Sequence, residues 1–127
     1  ALQQYSGETN VLRGSIQEGS ADFLASLALP EQQKPHYYRW GLEREEMIWR
    51  RFQKEMEGEN FRNWLGNNSN MHEEDWYADL GYFIGARISE AYYEQAEDKQ
   101  QAIRDLLFVT DAQAILDKSG YASRFAD

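Results

Sequence analysis

Residues 76–96 read WYADLGYFIGARISEAYYEQA and carry the longest helical pattern in the chain. Large apolar side chains recur every four positions along this stretch: Leu80, Ile84, Ile88 and Tyr92. A second stripe with the same spacing consists of small residues: Gly81, Gly85 and Ser89. Glycine inside a helix costs about 1 kcal/mol relative to alanine. The two glycines therefore predict that another segment approaches this face of the helix closely.

The rest of the chain predicts further helices and no convincing strand. Helices are expected over residues 11–29, 42–57, 76–96, 99–108 and 111–119, with a short helical turn over 60–65. The segment PEQQKPHYYRWG, residues 30–41, is predicted to be a connection, and residues 66–75 a polar loop. Thr110 and Gln113 have capping-box spacing before the last helix, which Gly120 is predicted to close. The sequence thus predicts an all-α fold, with about five helices in one compact domain spanning residues 1–127.

Composition limits the classes of function. The 127 residues are 42% apolar and 14% aromatic, which is enough for one modest core. A net charge of −9 is repelled by phosphates, so we expect no nucleic-acid partner. The chain has no cysteine and no apolar stretch near the roughly 20 residues of a transmembrane segment. It begins ALQQYSG without Met, which indicates a processed or truncated product.

Two carboxylates interrupt the first predicted helix. The stretch SIQEGSADFLA, residues 15–25, places Glu18 and Asp22 one turn apart on one face. Burial of such a pair is costly unless cations or hydrogen-bond donors satisfy it. The spacing fits two solvated carboxylates at a helix edge. It also fits a zinc site in which Glu18 joins two histidines from another helix and Asp22 orients one of those histidines.

The sequence around these carboxylates resembles a group of bacterial predicted zinc-dependent proteases of the gluzincin type, whose relatives include gliding-motility-associated lipoproteins. The matching pieces follow in the same order: SIQEGSADFLASL, EREEMIWRRFQKEM, NWLGN, ADLGYFIGARISEAYYEQAEDKQQAIRDLL and ILDKSGY. The resemblance implies that Glu18 is the third zinc ligand and Asp22 its supporting residue. It also implies a peptide or protein substrate and export to the periplasm or the cell surface.

The family's HExxH motif, which supplies two zinc-binding histidines and a general base, is absent from these residues. The chain has only His36 and His72, and the run HEEDW at 72–76 lacks the second histidine. We interpret that run as a chance match. In the family the motif would precede residue 1, so we expect the chain to be the C-terminal portion of a longer protein. The missing N-terminal part would complete the zinc site, and the chain alone is expected to bind no zinc.

Two residues of the long helix are further candidates. Tyr82 could stabilise the oxyanion of a tetrahedral intermediate, as a Tyr or His does in gluzincins, or could be a core tyrosine with a satisfied hydroxyl. Arg87 could pair with Glu18, Asp22 or a substrate carboxylate, or could form a surface salt bridge. The aromatic residues of the connection and the second helix are expected to pack in the core: Tyr37, Tyr38, Trp40 and Trp49.

Three hypotheses follow for function. The first is the C-terminal helical portion of an exported zinc peptidase that hydrolyses peptide bonds with a metal-activated water. The second is a non-enzymatic helical binding or scaffold module that has lost the metal or never had it, with a protein or peptide partner. The third is an acidic inhibitor or nucleic-acid mimic, which the lack of long acidic runs disfavours.

Overall fold

The computed structural model describes residues 9–32, 34, 36–65 and 79–126. Three expectations fall outside these residues: the polar loop at 66–75, the HEEDW run at 72–76 and the first turn predicted at 76–78. The remaining predictions can be compared with the structure directly.

The described residues form six α-helices: α1 (Val11–Ala28), α2 (His36–Leu42), α3 (Glu45–Glu55), α4 (Leu80–Gln95), α5 (Lys99–Phe108) and α6 (Ala112–Ser119). Short 3-10 turns cover Phe61–Asn63 and Ala122–Phe125. No strand occurs in the described ranges. The all-α prediction is confirmed, and the turn predicted at residues 60–65 is observed at Phe61–Asn63.

The helix missing from the prediction is α2, which lies inside the segment taken as a connection. Pro35 precedes it in the sequence, and a proline at this position does not hinder a helix because the first turn needs no internal N–H donor. The predicted helix over 42–57 was therefore wrong at its start. Leu42 ends α2, and a turn closed by a 2.9 Å hydrogen bond from Arg44 N to Gly41 O separates α2 from α3.

The start of α6 also differs from the prediction. Asp111 caps the helix, its carboxylate accepting a 3.0 Å hydrogen bond from the backbone N–H of Ala114. The capping box assigned to Thr110 and Gln113 was wrong by one residue. Asp and Thr are both favourable N-cap residues, so the sequence alone does not distinguish Thr110 from Asp111. The backbone conformation places Asp111 at the cap position. The closing role of Gly120 is confirmed, since its φ is 72°.

The small residues of α4 pack against a glycine of α1. A β-carbon at Gly85 would lie 1.8 Å from the carbonyl oxygen of Ser15, and one at Gly19 would lie 2.2 Å from the backbone nitrogen of Ala86. Two backbones can approach this closely only where side chains are missing. The close helix contact predicted from the glycine stripe is confirmed, and its partner is α1.

The core forms between α1, α3, α4 and α6. Its largest fully buried side chains are aromatic: Trp49, Trp64, Tyr121, Phe52 and Phe83. Edge-to-face contacts join several of them, including Trp49 with Tyr121 at 5.2 Å and Phe52 with Trp64 at 5.0 Å between ring centroids. Such aromatic pairs stabilise the core by more than the burial of their apolar area alone. The C-terminal Tyr121 thus anchors the end of the chain against α3.

Arg87 joins α4 to α3 rather than reaching Glu18 or Asp22. Its guanidinium donates to both carboxylate oxygens of Glu45, at 2.7 and 3.2 Å, and to Glu90 at 2.7 Å. The side chains of Arg87 and Glu45 are only 18% and 15% exposed. Tyr121 donates a further 2.6 Å hydrogen bond to Glu45. The predicted surface salt bridge is therefore a mostly buried network that ties α3, α4 and the C-terminal segment together.

Candidate functional site

Four of the side chains singled out in the sequence meet at the junction of α1, α2 and α4. Glu18 and Asp22 come from α1, Tyr37 from α2 and Tyr82 from α4, with Asp79 next to the start of α4. We call these five residues the carboxylate–tyrosine cluster. The structure brings together three of the residues for which the sequence suggested functional roles, namely Glu18, Asp22 and Tyr82, whereas Arg87 pairs with Glu45 and Glu90 instead.

The close crossing of α1 and α4 explains this arrangement. Gly19 lies between the two carboxylates in sequence and packs on Gly85 and Ala86 of α4. Tyr82 stands about one turn before Gly85 on α4, so its side chain reaches the α1 face that carries the carboxylates. The glycine contact that sets the fold also positions the cluster.

Asp22 and Tyr37 form the tightest contact of the cluster. The Tyr37 hydroxyl donates a hydrogen bond to the Oδ2 atom of Asp22. The Tyr37 ring also lies 6.2 Å from the Tyr82 ring, centroid to centroid. Burial raises the pKa of Tyr37 well above its usual value, and the hydrogen bond and negative charge of Asp22 raise it further. The Tyr37 hydroxyl therefore stays protonated at physiological pH and remains a neutral hydrogen-bond donor to Asp22.

Tyr82 is surrounded by negative charge. Its pKa is raised first by burial and then by the carboxylates of Glu18, Asp79 and Asp22. The hydroxyl therefore remains protonated and can donate a hydrogen bond. That state is the one an oxyanion-stabilising tyrosine requires. The catalytic role of Tyr82 remains a prediction.

The two carboxylates differ in environment. Glu18 is exposed to solvent, whereas Asp22 is half-buried and satisfied by Tyr37. Neither is an uncompensated buried charge, so neither carries a large desolvation penalty. The helix edge therefore tolerates both residues without a metal ion.

A zinc site cannot be assembled from the described residues alone. Within residues 9–32, 34, 36–65 and 79–126, no group of three or more His, Cys, Asp or Glu side chains is placed to hold a metal ion. The donor that contacts Asp22 is a tyrosine hydroxyl rather than a histidine nitrogen. The roles of Glu18 as a ligand and Asp22 as its support remain predictions, which require donors outside the described part of the chain.

Tyr37 and Tyr38 are the residues that the sequence-based reasoning missed. Both were expected only to pack in the core, because the segment that contains them was assigned as a connection. The stretch HYYRWGL, residues 36–42, covers only about two helical turns, so its local spacing does not reveal α2. Tyr37 contacts the cluster, and Tyr38 packs edge-to-face on Phe83 with centroids 5.6 Å apart.

Comparison with known proteins assigns the chain to a family. The family model described as gliding motility protein GldB matches residues 2–123, which is nearly the whole chain. The chain belongs to the GldB family. The match confirms the resemblance to gliding-motility lipoproteins and gives no support for the zinc-protease part of that resemblance. No curated protein and no solved structure matches the chain significantly.

The GldB-family match includes α1, α2 and α4, and therefore the whole carboxylate–tyrosine cluster. Among the described helices of this domain, none combines the length and the apolar character required to span a membrane.

Proposed function

We propose that this GldB-family domain is a non-enzymatic helical module that binds a protein partner during gliding motility. We further propose that it belongs to an exported, surface-associated lipoprotein. Family membership over residues 2–123 supports both proposals. The observation that carries the binding role is an apolar surface at the end of α5, formed by Leu107 and Phe108.

Leu107 and Phe108 are adjacent, large and apolar, yet they are 61% and 65% exposed. The residues on either side of the pair, Leu106 and Val109, are fully buried. The Ser20 hydroxyl donates a 2.9 Å hydrogen bond to the Leu106 carbonyl, which holds this end of α5 against α1. The pair is therefore presented on a fixed backbone, and aromatic residues such as Phe108 are enriched at protein–protein interfaces.

Backbone strain occurs at the same place. Val109 has a φ of 45°, in the left-handed region that β-branched residues rarely adopt. This conformation ends α5 directly after Phe108. Strain of this kind costs of order 1–3 kcal/mol and is concentrated at functional sites. The strained conformation of Val109 therefore supports a functional role for the exposed end of α5.

The test is the double substitution Leu107→Ser and Phe108→Ser in the full-length protein, expressed in its source bacterium. We expect gliding to be lost while the amount of protein and its melting temperature are maintained, because both side chains are exposed. Leu29→Ser is the matched control, since Leu29 is also an exposed apolar residue at a helix end. Normal gliding by the double variant would refute the proposed binding surface.

A second candidate function is favoured by the meeting of Glu18, Asp22 and Tyr82. In the longer protein, Glu18 would bind zinc and Asp22 would orient a histidine supplied from outside the described residues. The exposed position of Glu18 leaves its carboxylate accessible to such a ligand set. Under this candidate function, the longer protein would be a peptidase.

Metal analysis distinguishes the two candidates. Under the peptidase candidate, the purified full-length protein retains about one zinc ion per chain, as expected for a site with three protein ligands. The variant Glu18→Gln would then lose the zinc, and a control substitution at the exposed residue Glu57 would keep it. Equal zinc content in the wild-type protein and Glu18→Gln would exclude Glu18 as a ligand.

A further inference from the structure

A small cleft lies between α1, α2 and α4, beside the carboxylate–tyrosine cluster. Its walls include two carboxylates and three aromatic rings: Asp22, Glu90, Phe23, Tyr37 and Tyr38. The free space is about 30 Å³. This volume is close to that of a single water molecule. The cleft can therefore admit one small polar head group and no complete metabolite.

The side chain of Lys34, a cation from the same chain, also lines this cleft. The ammonium nitrogen of Lys34 lies 4.7 Å from the centroid of the Tyr38 ring, within the range of a cation–π contact. The Tyr38 ring is held in place by its edge-to-face packing on Phe83. Lys34 is itself exposed, so its ammonium group can exchange this contact for water.

The surrounding charge favours a cation. Asp22 and Glu90 line the cleft, and Glu90 shares its guanidinium partner with Glu45. Arg87 supplies that guanidinium and is the positive charge shared by the two glutamates. Three carboxylates, Asp22, Glu45 and Glu90, face two cations, Arg87 and Lys34, so the region has one net negative charge with Lys34 in place and two without it.

We propose that this cleft is a binding site for a primary ammonium group presented by a protein partner, and that Lys34 occupies part of it as an internal competitor. The inference rests on the proposed role of the domain as a protein-binding module. Aromatic faces and carboxylates together bind ammonium groups through cation–π and charge–charge attraction. The limited volume favours a lysine side chain or a chain N-terminus over the larger planar guanidinium of arginine.

The experiment uses the 127-residue chain and the probe Nα-acetyl-lysine methylamide, with binding followed by NMR at the ring resonances of Tyr37 and Tyr38. Removing the competitor in Lys34→Ala should tighten probe binding by about two- to fivefold, the factor that corresponds to one exposed cation–π contact. In the Lys34→Ala background, Tyr38→Phe should retain binding and Tyr38→Leu should lose it, because only the phenylalanine preserves the aromatic face.

Lys99 provides the matched control. Its ammonium nitrogen lies 4.9 Å from the ring centroid of Tyr93, outside the cleft. Lys99→Ala removes a comparable lysine–tyrosine contact, together with hydrogen bonds to the Tyr93 and Glu94 carbonyl oxygens, and should leave probe affinity unchanged. The uncharged probe Nα-acetyl-norleucine methylamide should produce no saturable shift. Equal binding of the two probes, no gain in Lys34→Ala, or an equal gain in Lys99→Ala would each overturn the proposal.

A third probe identifies the source of the ammonium group. Tighter binding of the lysine probe than of glycine methylamide assigns the cleft to a lysine side chain, and the reverse order assigns it to a chain N-terminus. Either order upholds the ammonium site. Failure of this site is distinguishable from failure of the proposed function, because the gliding test uses Leu107 and Phe108 on α5, which do not line the cleft.

Discussion

The substitution Gly85→Ala adds one methyl group at the crossing of α1 and α4. The new β-carbon would lie 1.8 Å from the Ser15 carbonyl oxygen and 2.5 Å from the Ser15 carbonyl carbon. Both atoms belong to the backbone, so no side-chain rotation can relieve the overlap. An ordinary contact requires about 3.4 Å, and the two helices must separate locally by roughly 1.5 Å to reach it.

The energetic cost follows from that separation. A gap of 0.5–1 Å already forfeits about a quarter to a half of the dispersion energy of each contact. Overpacking typically costs about 1–3 kcal/mol, and a clash between two backbones lies at or above the upper end of that range. The better helix propensity of alanine returns at most about 1 kcal/mol. We expect a net loss of about 2 kcal/mol or more, which lowers the melting temperature by at least about 6 °C.

Urea unfolding followed by circular dichroism measures this loss directly. Gly58→Ala is the control, because its β-carbon would meet no atom closer than the Glu55 carbonyl oxygen at 3.5 Å. That variant should remain within about 0.5 kcal/mol of the wild-type protein. A Gly85→Ala protein as stable as Gly58→Ala would refute the argument that the glycine contact between α1 and α4 determines the packing.

Three further predictions concern stability. Arg87→Met leaves its carboxylate partners uncompensated and should cost about 2–3 kcal/mol by urea unfolding, whereas Arg44→Met, which breaks an exposed pair, should cost under about 1 kcal/mol. Burial and a hydrogen bond to a carboxylate raise the pKa of Tyr92 to about 12. Because the unfolded state releases this proton near pH 10, stability present below pH 10 is lost as the pH rises towards 12. Thermal melts between these pH values should show a shallower loss for Tyr92→Phe. Asp111→Ala should cost about 1 kcal/mol and Thr110→Ala almost nothing, since only Asp111 caps α6.

Each of these predictions has a clear contradicting result. Equal losses in the two arginine variants would show that the buried network contributes no more than a surface pair. Parallel melting curves for wild-type protein and Tyr92→Phe above pH 10 would show that Tyr92 ionises equally in both states. A larger loss in Thr110→Ala than in Asp111→Ala would restore the capping box that the sequence suggested.

Periodicity predicted most of the fold because four of the helices bury a regular apolar face. The spacing in α4 identified the helix and its glycine contact, and α5 was predicted at its observed bounds. The start predicted for the long helix at residue 76 was wrong, because Asp79 has a left-handed φ of 62° and α4 begins at Leu80. The short helix α2 was missed because its seven residues follow a proline-containing segment and have too few turns to show a period. Its existence depends on packing, since Gly41 lies directly against the Phe83 ring.

The candidate site was predictable in part. The spacing of Glu18 and Asp22 indicates a shared helix face, and the structure adds Tyr82 from a helix more than fifty residues further along the chain. Long-range contacts of this kind are set by the α1–α4 crossing rather than by local sequence. The hydrogen bond from Tyr37 to Asp22 could not be foreseen, because it depends on the helix that the sequence did not reveal.

Gliding speed in the source bacterium tests the central claim most directly, with two variants of the full-length protein compared at equal protein levels. The proposed binding role predicts that Leu107→Ser combined with Phe108→Ser abolishes gliding, whereas Glu18→Gln glides like the wild type. The opposite result, normal gliding by the double variant and loss of gliding in Glu18→Gln, would contradict the binding role and favour a metal-dependent one.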